Sequence, residues 1–134
     1  MMIFLLAVLA AAPASAAHVK ATLLVSGEDA ALRLVHDPHW HTYWLNPGDS
    51  GLATKISTGM LEFPAPERIV AGPLTSFGYS GEVDLPARLP KGVKTVTATW
   101  LECAEVCIPG KAVLTPRKVS PQTLKEARAR LPRP

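Results

Sequence analysis

Thirteen prolines and nine glycines punctuate this chain into short runs, and that punctuation narrows the possible folds more than any other feature. Proline has no N–H to give a helix interior, and glycine and proline together mark turns. Between the breaks, apolar residues alternate with polar ones instead of recurring at helical spacing, which predicts strands. Residues 18–26 and 30–36 alternate on either side of Gly27-Glu28-Asp29, a hairpin signal. Residues 40–45 are aromatic and strand-like, and Asn46-Pro47-Gly48-Asp49-Ser50-Gly51 is a turn cluster. Further strands are expected at 52–57, 68–71, 77–85, 93–101 and 112–119. Short strands at this spacing predict an all-β chain, an immunoglobulin-like β-sandwich. From Ser120 the pattern changes. Ser120 suits a cap, Pro121 a first helical position, and Leu124, Ala127 and Leu131 recur at helical spacing. A short helix is expected over 121–131, ended by Pro132.

The chain divides accordingly into an export segment at 1–17, the sandwich at 18–119, and a helix with a tail or linker at 120–134. Residues 3–12 are an unbroken apolar run, followed by Pro13-Ala14-Ser15-Ala16-Ala17. Small residues at A-x-A spacing after such a run read as a cleavable signal peptide, although no Lys or Arg precedes it. Cleavage is expected after Ala16 or Ala17. The run is too short to cross a bilayer, which takes about 20 apolar residues. Export places the domain in the periplasm, where disulfides persist. The net charge is +3 and the basic residues are scattered until the C-terminal end. No stripe of Lys and Arg interleaved with aromatics marks a nucleic-acid surface.

The two cysteines, Cys103 and Cys107, sit in Trp100-Leu101-Glu102-Cys103-Ala104-Glu105-Val106-Cys107-Ile108-Pro109. Residues four apart on an extended strand are separated by about 13 Å, and a disulfide requires Cα atoms within about 7 Å. If the two bond, the chain between them must turn, and 93–101 and 112–119 become the strands meeting at that tip. As a staple the bond would do little. Closing so small a loop contributes about 2 kcal/mol, against more than 4 for a very long one. A dithiol pair at a tip is better suited to switching between thiol and disulfide. Glu102 and Glu105 oppose thiolate formation, whereas reactive cysteines have cationic neighbours. Spacing alone leaves switch and staple both open. Cys107 has the less acidic surroundings, being followed by Ile108-Pro109-Gly110-Lys111, and is the cysteine expected to bond a partner.

His36, His39 and His41 offer a second reading, a periplasmic copper-binding protein using imidazoles and thiolates. It expects His39 and His41 on one face of a strand running back from residues 40–45. The spacing matches no closed zinc site, and polar edge residues in an aromatic strand are the plainer account.

Three ordered motifs resemble a known family. His39-Trp40-His41-Thr42-Tyr43-Trp44 with Asn46 to Gly51 comes first, then Phe77-Gly78-Tyr79-Ser80-Gly81-Glu82-Val83, then Trp100-Leu101-Glu102-Cys103 with Cys107-Ile108-Pro109. Together they resemble the N-terminal periplasmic domain of the DsbD family of thiol:disulfide interchange proteins, and within it the ScsB branch, named for suppression of copper sensitivity. The resemblance implies an immunoglobulin-like domain with Cys103 and Cys107 as the redox pair, a component of a protein-disulfide reductase needing no cofactor. It implies thioredoxin-fold periplasmic partners and a DsbD-type membrane electron transporter, supplied in trans if the domain works alone or by the same protein if the sequence is a fragment. Phe77, with Tyr79 in the same segment, falls where that family has a cap over the disulfide. Two departures stand out. The spacer between the cysteines is shorter than in the best-known branch, and Thr75 and Ser76 replace carboxylates before the cap phenylalanine.

Overall fold

The computed structural model describes residues 17–133, so the expected export segment lies, but for Ala17, outside the described residues. The chain runs β1 (Val19–Ser26), β2 (Asp29–His36), β3 (Thr42–Gly48), β4 (Lys55–Ile56), β5 (Met60–Leu61), β6 (Glu67–Ala71), β7 (Leu74–Tyr79), β8 (Glu82–Arg88), β9 (Val96–Cys103), β10 (Cys107–Leu114), β11 (Arg117–Lys118) and α1 (Pro121–Ala129). One layer is a five-stranded sheet ordered β11-β1-β2-β8-β5. Two three-stranded sheets, β10-β9-β4 and β3-β7-β6, face it. The result is the all-β, immunoglobulin-like sandwich that the alternation predicts.

Period-two alternation decides what each face buries. Leu32 and Leu34 of β2 with Leu85 of β8 meet Tyr79 of β7 and Ala98 and Trp100 of β9, forming the core between the layers. The opposite face of the five-stranded sheet is also covered. Leu24 and Ala31 pack against Leu124 and Ala127 of α1, which explains why β2 is buried along nearly its whole length. Arg128 fastens the helix by reaching Asp29 and Glu62.

The structure departs from the sequence expectations in several places, the strand expected at 52–57 being only Lys55–Ile56 and that expected at 93–101 running from Val96 to Cys103. The single strand expected at 77–85 is two strands in different sheets. The chain crosses between layers at Ser80-Gly81, with Gly81 at φ +62°, a conformation glycine adopts without the Cβ penalty. The strand expected at 112–119 is also two strands: β10 begins at Cys107, takes in Pro109 and Gly110 and ends at Leu114, and β11 joins the other layer beside β1. β10 is an edge strand, where the missing proline N–H breaks no ladder. The turn cluster at 46–51 begins late, because β3 continues through Pro47 to Gly48 with an irregular register after Tyr43. The helix ends at Ala129 rather than 131, and Ser120 makes no side-chain bond to a backbone amide. Its hydroxyl lies 3.2 Å from that of Thr123 instead.

Candidate functional site

β9 and β10 are paired in register from Val96 and Leu114 to Cys103 and Cys107, which stand directly opposite each other. Ala104, Glu105 and Val106 make the exposed tip, closed by the Ala104 N–H donating to the Val106 carbonyl at 2.9 Å. Both backbone groups of Cys103 are spent on its other side. Its N–H donates to the His41 carbonyl at 3.0 Å, and its carbonyl accepts from the His41 N–H at 2.9 Å. Toward β10 the two cysteines are therefore a non-hydrogen-bonded pair, the position at which antiparallel strands approach most closely. Their Cα atoms are 4.1 Å apart and the sulfurs form a disulfide.

The two cysteines differ in access. Cys103 is 1% exposed, and Cys107 is exposed. Cys103 belongs to neither hydrophobic cluster, so the bond lies at a hairpin end and not in the centre of the sandwich.

Glu102 was expected to oppose a thiolate at Cys103, but alternation turns its side chain to the other face. There it is buried, accepting from the Trp100 indole at 2.8 Å and from the His18 backbone N–H at 3.0 Å. The indole reaches it by lying over Gly110, where a Cβ would fall 2.1 Å from the indole nitrogen. Glu102 therefore ties the base of the hairpin to the start of β1.

The face carrying the sulfurs continues across His41 to Tyr43. Directly opposed residues share a face, so the His41 side chain is the cross-strand neighbour of Cys103, and Tyr43 follows two residues on. His41 Nε2 lies 3.1 Å from the Tyr43 hydroxyl. Burial, with His36 nearby, pushes the His41 pKa down against a weaker pull from Glu67. Burial also pushes the Tyr43 phenol up, against a weaker opposing pull from Ser50. Ser50 Oγ in turn lies 3.1 Å from Ser76 Oγ.

The three histidines of the copper reading do not converge. His39 is in a turn at φ +71°, not on a strand face with His41. His36 is buried on the inner side, its Nδ1 at 2.7 Å from the Gly81 carbonyl and its Nε2 at 2.8 Å from Thr42 Oγ1. Among the described residues, no group of three or more His, Cys, Asp or Glu side chains is placed to hold a metal ion.

Phe77 and Tyr79 alternate onto the side of Thr42, which pairs with Tyr79, and away from the side of His41. The Phe77 ring meets Trp44 edge-on at 6.3 Å. Tyr79 is buried in the core with its hydroxyl donating to the Pro64 carbonyl at 2.7 Å. Register thus groups these two with the core-facing aromatics, and groups the sulfurs with His41 and Tyr43. Sequence reasoning did not anticipate His41 beside Cys103. That adjacency comes from pairing between distant segments, and no local pattern encodes it.

The model of the family described as "Thiol:disulfide interchange protein DsbD, N-terminal" matches residues 8–118. Among solved structures, the N-terminal periplasmic domain of ScsB from Proteus mirabilis is similar at 25% identity with a TM-score of 0.67. The similarity covers 85% of this chain and 53% of that one, so this chain spans about half the length of that structure. No curated protein matches.

Proposed function

Because the chain belongs to the family of DsbD N-terminal domains, a thiol:disulfide interchange module, we propose that Cys103 and Cys107 are its exchanging pair. The observation that carries this reading is the disulfide between directly opposed residues at a hairpin tip, one sulfur exposed and the other buried. A partner thiolate reaches Cys107, forms a mixed disulfide with it, and Cys103 leaves as the thiolate. In the reverse direction Cys107 attacks a partner disulfide and Cys103 then attacks Cys107, closing the intramolecular bond and releasing the partner. The exposed sulfur is the point of entry and the buried one resolves, because exchange requires access.

The exposed tip with Val106 beside Cys107 suits a protein partner of thioredoxin fold, whose own cysteines lie at a surface. Such partners, and a membrane electron transporter, complete a protein-disulfide reductase of which this chain is a component. The family and the periplasmic ScsB domain support a periplasmic location, and cleavage of the N-terminal segment after Ala16 or Ala17 would deliver the chain there. A part in copper tolerance would follow from exchange with oxidised thiols, not from a metal site. In this reading Phe77 backs the sheet from the core side through Trp44 and does not cover the sulfurs. To test the reading, oxidised protein is mixed with a reduced thioredoxin-fold protein and free thiols are counted on each. Transfer of one disulfide per molecule supports it, and an unreactive bond under those conditions rejects it.

A further inference from the structure

We propose that His41 is the proton acceptor for Cys103 in the resolving step, with Tyr43 holding its ring. This rests on the exchange reading and names a group that reading leaves unassigned. Three observations place it. The doubly hydrogen-bonded pairing of His41 with Cys103 fixes their side chains on one face, at the Cβ separation of about 5 Å usual for opposed residues. Cys107 flanks Cys103 on the other side, so His41, Cys103 and Cys107 stand side by side across three paired segments. The Tyr43 hydroxyl occupies Nε2, which leaves Nδ1 as the ring nitrogen available to a thiol.

The chemistry balances without further reagents. In the mixed disulfide, Cys107 is bonded to the partner and Cys103 is a thiol. Nδ1 takes the Cys103 proton as the sulfur attacks Cys107 Sγ, the Cys103–Cys107 bond forms, and the Cys107–partner bond breaks. The partner sulfur leaves as a thiolate and is protonated by the imidazolium. Two electrons pass to the partner. The groups bearing on His41 are His36 from β2 and Glu67 from β6, together with its neighbour Tyr43. The Glu102 carboxylate is on the opposite face. Burial favours the neutral ring, the form able to accept a proton.

Reduced protein reacting with an aromatic disulfide reagent releases two chromophoric thiols in sequence, the first by attack of Cys107 and the second by resolution from Cys103. A thiol of ordinary pKa, about 8.5, is ionised to about 3% at pH 7, so loss of an internal base slows resolution by up to about 30-fold. His41→Gln is expected to slow the second phase at pH 7 by about that factor. It should also move that phase's pH midpoint from the imidazole range to about 8.5 or above, with the first phase unchanged. Tyr43→Phe should give a smaller slowing. Equal second-phase rates and midpoints in His41→Gln and wild type overturn the proposal. If His41→Gln does not fold, the wild-type protein still decides. NMR titration should show the His41 midpoint shifting between disulfide and dithiol states, and an unchanged midpoint rejects the role. A wild-type protein that completes both phases but exchanges with no thioredoxin-fold protein would instead overturn the proposed function.

Discussion

Replacing Glu102 with alanine tests whether the hairpin base is held as described. The carboxylate accepts from the Trp100 indole N–H and the His18 N–H, and it is 1% exposed. Glu102→Ala leaves both donors without a partner in a site water scarcely reaches. An orphaned buried donor costs about 1–3 kcal/mol, so two at the lower middle of that range cost about 3 kcal/mol. Relief of the carboxylate's own burial offsets part of this, and the cavity left by four lost heavy atoms adds to it. In a domain of this size 1 kcal/mol corresponds to about 4 °C, so the melting temperature of the oxidised protein should fall by about 12 °C. Thermal unfolding followed by circular dichroism measures it, and tryptophan fluorescence should report a changed environment for Trp100. A fall of less than about 4 °C would refute the reasoning, since it would mean the two donors find other partners.

Leu124 is 1% exposed beneath α1, and Leu124→Ala should cost about 3 kcal/mol in urea denaturation; a cost under about 1 would show that α1 is not docked as described. Burial lowers the His36 pKa, so below the unfolded value of about 6.5 the unfolded chain takes up protons the fold refuses. Stability should therefore fall as pH drops from about 7 toward 5, by up to about 1.4 kcal/mol per pH unit for one group, and His36→Gln should flatten that slope; an identical slope in the variant contradicts it. Phe77→Ala separates backing from covering. Loss of the Trp44 contact should lower stability and leave the rate of reduction by dithiothreitol unchanged in the folded protein; a severalfold acceleration at constant stability contradicts the core-side placement of the ring.

The fold was legible wherever a local pattern had one interpretation. Alternation in β1 and β2 around Gly27 and the helical spacing of Leu124 and Ala127 needed no distant information. The 77–85 run was misread because it alternates continuously while Gly81 sends it into the other layer, a choice made by what each sheet can bury. The cysteine spacing showed that a bond demands a turn. It did not show which sulfur would be covered, because that follows from His41 pairing with Cys103 across a long separation. Glu102 shows the same limit. Its charge was visible, but its direction depended on the phase of β9, and the strand ran two residues further than its apolar pattern indicated.

The most direct test of the account uses Cys103→Ser and Cys107→Ser, each incubated with an oxidised thioredoxin-fold protein and resolved without reductant. The account predicts that the variant retaining Cys107 accumulates a covalent adduct that reductant dissolves, while the variant retaining Cys103 captures little or none. Equal capture by the two variants, or capture by neither, would contradict it.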